Sequence, residues 1–335
     1  MATSSILKSG QIIFFFSSHN SLYGNFYNAF TEFIIFGLVF GLITVELFRK
    51  YNPVLTSREI SKKYSDHVII IGYTHIGQRI LNHLKAQGID CVIIEEDIDL
   101  IEDLIANEEA VINDSPLNIK TLEDAGAEKA KAVFVTSNDF EIQMVVKHYI
   151  RKLNSSCKII VRIFQDDIAD LISKTYNTEI ISTSKYASEI IYNKIRNAYK
   201  KVLLIGLNHI SVRLIEKLKQ RSSIEFQLIE QNEGLIDDLI EDKSHIFCGD
   251  PKDGITLETC NINEVDCVVN MIVGVKDSIL ITKQIRDLNQ RCKIISRFFL
   301  DSIAEILENP PFRAEVISSS ERTIDVMIQK GMFDF

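Results

Sequence analysis

The sequence has no H-E-x-x-H pair, no Walker A loop and no C-x-x-C. Those absences remove the zinc-hydrolase, P-loop and dithiol or zinc-ribbon chemistries that such motifs carry. It also lacks an excess of positive charge: 37 lysines and arginines stand against 46 aspartates and glutamates, a net charge of −9. That balance argues against a nucleic-acid partner, because binding one begins by neutralising phosphates. The cysteines (Cys91, Cys157, Cys248, Cys260, Cys267 and Cys292) are scattered, several inside apolar runs such as DCVIIEE and DCVVNM. Buried free thiols in a reducing cytosol explain them better than a disulfide framework. What is plentiful is apolar: 46% hydrophobic residues beside 25% charged, over 335 residues. This composition is globular, and the length suffices for two domains, each with a core.

The apolar residues are not evenly spread. Residues 30–48, FTEFIIFGLVFGLITVELF, have an uncharged centre from Phe33 to Val45 with Glu32 and Glu46 at its margins. As a helix the stretch would span about 28 Å, close to the hydrocarbon thickness, with both carboxylates near the interfaces. Arg49, Lys50, Arg58, Lys62 and Lys63 follow it against a single Glu59, while Lys8 alone precedes it. That asymmetry predicts a single-pass transmembrane helix over 30–50 in the cell (inner) membrane, with an extracytoplasmic tail over 1–29 and everything downstream cytoplasmic. A signal peptide is disfavoured, since no basic region precedes the apolar core and no A-x-A site follows it. The competing reading is a buried core helix. Asn52-Pro53 ends the helix, and residues 51–65 read as a short polar linker.

The rest of the chain is a repeat. VIIIGYTHIGQRILNHLK, from Val68, matches VLLIGLNHISVRLIEKLK, from Val202, at an offset of 134 residues. TLEDAGAEKAKAVFV matches TLETCNINEVDCVVN, KIIVRIFQDDIADLI matches KIISRFFLDSIAEIL, and EIISTS matches EVISSS. Self-similarity over the whole length means two copies of one domain, 66–200 and 201–335. In the first copy β-branched runs at 68–72, 90–95, 110–113, 132–136, 158–163 and 179–182 alternate with helical patterns beginning near Ile76, Ile98, Ile119, Asp139 and Asp167. Continuous apolar strands alternating with helices predict an α/β chain: two tandem Rossmann-like, doubly wound parallel-sheet domains preceded by one transmembrane helix. Ligands in that architecture sit at the strand C-termini, where the strand order reverses.

The first strand-to-helix turn, Gly72-Tyr73-Thr74-His75-Ile76-Gly77, is close to G-x-G-x-x-G. Gly72 permits the tight turn and Gly77 close helix-on-strand packing. Thr74 stands where the middle glycine normally lets the backbone approach a pyrophosphate; its hydroxyl can donate to a phosphate, and the helix N-terminus remains an anion site. Glu95 follows Gly72 by 23 positions, where a carboxylate receives ribose hydroxyls and disfavours a 2′-phosphate. NAD(H) or an adenine nucleotide (ADP or ATP) is therefore the expected ligand of the first copy. The second copy keeps Gly206 and Glu230, with Asn208 and Ser211 in place of the later turn positions; a ligand-free structural copy is the favoured reading there.

These residues resemble the RCK domain, also called the KTN or TrkA-N domain, which regulates potassium conductance in prokaryotic channels and transporters. The resemblance covers about 66–335 and rests on GYTHIG, AVINDS, LEDAGAEKAKAVFVTSND and KIIVRIF in combination. It implies that Thr74, His75 and Ile76 flank the phosphates and Glu95 the ribose. It also implies that Asn113, Asp114 and Ser115 line the base side, Thr136 and Ser137 lie under the nucleotide, and Arg162 faces a phosphate. Glu230, Gly249, Asp250 and Arg297 are the second copy's equivalents. The family's separate C-terminal regulatory lobe has no expected counterpart, the chain stopping at Phe335. The segment Ser184 to Lys200 joins the copies, and either packs on its own sheet or pairs across a subunit boundary, as the family's counterpart does.

Asn20 to Tyr27, NSLYGNFY, faintly resembles a potassium filter, but Leu22 replaces the first filter glycine, and a non-conducting tail is expected. His75 and His209 occupy equivalent turn positions, and a place near phosphate or solvent explains both without catalysis. The sequence thus predicts no catalytic residue and no metal ligand. It predicts a membrane-anchored, nucleotide-sensing gating subunit, or a truncated channel, for potassium transport. The expected partners are further copies of itself, as dimers building a ring, and a potassium-conducting pore or transporter subunit. The alternative is a membrane-tethered NAD-dependent oxidoreductase, against which stands the lack of a separate substrate domain. A third possibility is a scaffold with both sites vestigial.

Overall fold

A computed structural model describes residues 6–8, 11–13, 21–164, 166–221, 223–298 and 301–335. The described part of the N-terminal region begins with an antiparallel pair, β1 (Ile6–Lys8) and β2 (Gln11–Ile13), followed by helix α1 (Ser21–Tyr51). The helix starts at Ser21 rather than at Phe30 because nothing in between breaks it, and Thr31 folds its hydroxyl back onto the Tyr27 carbonyl at 2.8 Å. Its apolar window, Gly24–Leu47, is 24 residues long with a mean hydropathy of 2.0, and none of it is buried against the rest of the chain. At about 1.5 Å per residue it is long enough to cross a bilayer. That exposure sets aside a buried core helix. The filter-like residues 21–27 are helical, so their carbonyls are turned along the helix and not toward an ion path; Asn20 lies outside the described residues.

Asn52 interrupts the helix, but the polar linker is itself helical: α2 (Pro53–Ser61) starts with its proline in the first turn, where no amide hydrogen is needed. The first α/β unit follows as β3 (Val68–Ile71), α3 (His75–Ala86), β4 (Cys91–Ile94), α4 (Ile98–Ala106), β5 (Val111–Ile112), α5 (Ile119–Asp124), β6 (Ala132–Val135), α6 (Phe140–Leu153), β7 (Lys158–Arg162), α7 (Asp166–Tyr176), β8 (Glu179–Ile181) and α8 (Thr183–Ile195). The second repeats it as β9 (Lys201–Ile205), α9 (His209–Lys219), β10 (Glu225–Glu230), α10 (Glu233–Leu239), β11 (Ile246–Cys248), α11 (Gly254–Thr259), β12 (Cys267–Asn270), α12 (Val275–Leu288), β13 (Lys293–Arg297), α13 (Asp301–Glu308), β14 (Ala314–Ile317) and α14 (Ser319–Gln329).

Each unit is a six-stranded parallel sheet, in the order β5-β4-β3-β6-β7-β8 and β11-β10-β9-β12-β13-β14. Strands such as Val68–Ile71 and Ala132–Val135 are buried on both faces, which is why they read as unbroken apolar runs. The order reverses between β3 and β6, and between β9 and β12, so the loops above those pairs are where a ligand crevice opens.

The two units are not beads on a string. Helix α8 keeps only Tyr186 in the core of its own unit: Ala187, Ile191 and Ile195 pack with Val202, Leu204 and Leu214 of the second unit. Helix α14 reciprocates, placing Ile324 and Met327 among Val68, Ile70, Ile80 and Leu84 of the first. Beyond it Phe333 packs on His83 and Phe134, with ring centroids 4.4 and 5.5 Å apart, and Lys158 reaches the Gly331 carbonyl at 2.9 Å. The joining helix therefore follows neither expected course. It crosses to the other unit of the same chain. The exchange brings the two crevice ends face to face.

Candidate functional site

The first turn is built on Gly72, whose φ of +92° a side chain disfavours and whose amide donates to the Ile94 carbonyl at 2.9 Å. A Cβ on Gly77 would fall on the Gly72 carbonyl, so that position admits only glycine. Thr136 is fully buried beneath, its hydroxyl bonded to the carbonyls of Ile71 and Gly72. Thr136 is thus a prop beneath the turn. Ser137 accepts from Asp139 N at 3.1 Å and its carbonyl accepts from Gln143 at 2.9 Å, at the base of α6.

Above the turn, Thr74 is the N-cap of α3 with no side-chain cap bond, and its Oγ1 is buried without a partner. The Thr74 side chain therefore does not cap the first turn of α3, and a helix N-terminus left open in that way attracts an anion. Glu95 stands beside the turn: Oε2 accepts from Tyr73 N at 2.6 Å and Oε1 from Asp97 N at 3.1 Å. Asn113 donates to the Glu95 and Glu96 carbonyls at 3.0 and 2.8 Å, holding that strand end.

Asp114 faces elsewhere. It pairs with Arg58 of α2 at 2.9 Å and accepts from Thr121 at 3.0 Å and from the Ser115 amide at 2.8 Å. Arg58 also binds Asp124 at 2.8 Å. Burial opposes ionisation of Asp114, but Arg58 and the other two donors together hold its carboxyl below the usual range. The expected base-side acid is thus engaged by the linker helix, and Ser115 accepts from Leu117 N at its hydroxyl, at 3.4 Å, and from Asn118 N at its carbonyl, at 3.2 Å. Arg58, which carries this connection, has no motif to reveal it in the sequence.

Between the units lies a cavity of about 430 Å³, lined from one side by the Tyr73–Ile76 turn and Arg162 and from the other by the Asn208–Ile210 turn and Arg297. Arg162 donates to Thr183 at 3.2 Å and lies 4.7 Å from the Phe164 ring; Arg297 donates to Ser319 at 3.2 Å. Phe164 stacks on His209 at 4.8 Å, and Arg213 ties the units by donating to Ser184 at 3.2 Å and to the Phe164 carbonyl. Burial lowers both cavity arginines to about 10, with the charge of Arg297 adding to the effect on Arg162. His75 is depressed by burial, then by Arg297, Arg162 and Arg79; His209 by burial, then by Arg213 and Arg162. The two histidines are therefore neutral at neutral pH. Arg162 and Arg297, expected in separate crevices, share this one.

The second turn keeps the geometry of the first but fills it. Gly206 has a φ of +91°. Asn208 caps α9 with its own side chain, accepting from Ile210 N at 2.9 Å and Ser211 N at 3.3 Å, and Ser211 Oγ in turn accepts from Asn208 N at 2.7 Å. Glu230 is buried, accepting from Leu207 N at 2.7 Å. Gly249 N donates to the Glu230 carbonyl at 3.0 Å and Asp250 accepts from Lys252 N at 2.9 Å. The crevice beside Glu230 and Asp250 measures about 40 Å³, and Lys252 lies across it within 4.0 Å of Asp250 and 3.6 Å of Asp277. Among the described residues no group of three or more His, Cys, Asp or Glu is placed to hold a metal ion.

The family model for the TrkA-N domain matches twice, over residues 68–183 and 202–319, which is more than half of the chain. The chain belongs to the TrkA-N family. It is 29% identical over 131 residues to potassium channel protein 1 of Methanocaldococcus jannaschii, a match covering 38% of this chain and 39% of that channel. This TrkA-N chain therefore spans well under half the length of that relative. Among solved structures, GsuK bound to ADP superposes with a TM-score of 0.76 at 16% identity, covering 95% of this chain and 84% of that one. The GsuK channel bound to NAD gives 0.74 at 14% identity, covering 94% and 74%. At such identities the likeness is one of fold: two tandem TrkA-N units behind an apolar helix.

Proposed function

We propose that this chain is a membrane-anchored, nucleotide-sensing gating subunit for potassium transport, with the site in the first TrkA-N unit. The observation that carries the reading is the contrast between the two turns. In the first unit the Thr74 side chain leaves the α3 N-terminus without a side-chain cap and Glu95 stands beside it; in the second the Asn208 side chain caps the corresponding turn. An anion site is open in one copy and closed in the other. GsuK, whose fold it shares, was solved with ADP and with NAD, and the relative in Methanocaldococcus jannaschii is a potassium channel protein. Both support an adenine nucleotide or NAD(H) as the ligand and potassium as the ion.

In this reading α1 crosses the membrane once, the basic residues after it keep the α/β units cytoplasmic, and further copies assemble into a ring beside a pore. Arg58 couples α2, next to the membrane helix, to the rim of the nucleotide unit through Asp114 and Asp124. Nucleotide binding acts by shifting a conformational equilibrium and not by turnover. An oxidoreductase needs a domain that presses substrate on a nicotinamide; here the second unit is another copy of the first. Titration calorimetry of the full-length protein with ADP, ATP, NAD+ and NADH tests the site. Binding is expected with one nucleotide per chain, lost in Glu95→Ala. Absence of binding refutes the sensing role, and consumption of NADH with a substrate refutes the non-enzymatic one.

A further inference from the structure

The two sheets end in equivalent edge strands, β5 and β11, but only one of them is covered. Register on the neighbouring strands pairs Ile93 with Val111 and Leu228 with Ile246, so Val111 and Ile112 correspond to Ile246 and Phe247. Val111 is 1% exposed and Ile112 fully buried, beneath α2, which packs on β5 and α4. In the second unit Ile246 and Phe247 are half-buried and Cys248 is exposed. The helix that precedes β9 is α8, and it lies on α9 instead. Among the described elements none packs on β11 as α2 packs on β5. The contrast extends to the next helix. In α5, Lys120 shares a face with Asp124, four residues on, and Asp124 receives Arg58 from α2. The matching face of α11 carries Ile255, 72% exposed, and Thr259, also exposed. It adjoins the strand: a Cβ on Gly249 would meet Phe247 and Thr256, each at 2.9 Å.

The surroundings of this open edge are acidic. Residues 233–242 contain no lysine or arginine. Lys219 and Lys243 pair with Asp242 and Asp237, and Glu233, Asp238 and Glu241 are exposed along and just after α10. Asp253 and Glu258 add exposed carboxylates at α11. The helix that covers the first edge has the opposite character. It buries Ser57 and Ser61, small residues that allow close approach, and brings Arg58, Lys62 and Lys63 to its rim. We propose that the β11 edge of the second unit is a docking surface for a basic amphipathic helix of a partner protein, seated as α2 is seated on β5. The apolar strand end and Ile255 make the contact, and the acids of α10 select the charge. The same acids repel nucleic acid and an anionic bilayer. The chain's own α2 is engaged on the first unit through Asp114 and Asp124, so the occupant comes from another polypeptide. This surface is independent of the nucleotide site and requires no ligand in either crevice.

The probe is a synthetic peptide of residues 50–64, KYNPVLTSREISKKY, held helical by a lactam between Leu55→Lys and Glu59, two positions that face solvent in α2. Cys248 reports the site, being exposed while the other cysteines are buried. With the full-length protein in detergent, the peptide is expected to bind saturably by fluorescence anisotropy and to protect Cys248 from maleimide labelling. Ile255→Asp is expected to weaken binding about tenfold, the scale of losing one buried isoleucine, and Glu241→Lys about two- to fivefold, that of one surface ion pair. Both positions are exposed, so the melting midpoint should not move. A peptide carrying Arg58→Glu, Lys62→Glu and Lys63→Glu should not bind. Failure of the wild-type chain to bind the helical peptide, or binding that leaves Cys248 labelling unchanged, overturns the inference. So does protection of Cys248 without peptide that rises with protein concentration and with dimer formation in ultracentrifugation, since a second copy then takes the edge. Protection by anionic vesicles overturns it as well. Should a variant fail to fold, the wild-type chain with the two peptides still decides.

Discussion

Gly72 and Gly206 offer a controlled comparison. They occupy the same turn in the two copies, with φ of +92° and +91°, so alanine at either costs the same conformational penalty, about 1–2 kcal/mol. Their surroundings differ. A Cβ at Gly72 meets backbone, Ser137 N at 2.9 Å and Ser137 Cα at 3.2 Å; at Gly206 it meets the tip of Ile272 at 2.9 Å and backbone only at 3.4 Å. The isoleucine methyl can rotate away, whereas Ser137 starts the loop into α6 and is held by Asp139 and Gln143. Overpacking against backbone adds about 1–3 kcal/mol. Gly206→Ala should therefore cost about 1–2 kcal/mol and Gly72→Ala about 2–5 kcal/mol in total. Chemical denaturation followed by circular dichroism reads both, and calorimetry with ADP reads function: Gly72→Ala loses binding and Gly206→Ala keeps it. Equal destabilisation by the two substitutions would refute the steric argument. Equal loss of binding would refute the assignment of the site to one copy.

Other perturbations probe the connections. Arg58→Ala removes two partly buried ion pairs, at a cost of about 1–2 kcal/mol after solvent screening, and should leave ADP affinity intact while rubidium flux in vesicles stops responding to nucleotide. Phe333→Ala should destabilise by about 3 kcal/mol, read by denaturation, because the ring is buried on Phe134 and His83. His67, His75 and His209 have depressed values in the fold, chiefly through burial, so the unfolded chain binds protons that the folded one does not. Stability should be complete above about pH 6.5 and fall as pH drops below it, measured as a falling denaturation midpoint.

Strand and helix positions were readable because both faces of each sheet are covered. Val68–Ile71 and Cys91–Ile94 then have no polar face to disguise them, and Asp97, Asn118 and Asp139 cap helices where the sequence turns polar. Glu95 was placed beside the turn by spacing alone, since a parallel sheet fixes the distance between neighbouring strand ends. The partner of Asp114 could not be read, because the motif that marks it carries no record of Arg58, which lies on a different helix. The shared cavity was equally hidden: Arg162 and Arg297 look like equivalents in separate domains until α8 and α14 change places.

The reciprocal placement of α8 and α14 is the embrace that two identical subunits would make across a twofold axis. Written into one polypeptide, it frees the halves from having to be identical. A homodimer's off-axis pockets come in identical pairs; a fused pair can differ between its halves, as the Thr74 turn and the Asn208-capped turn do here.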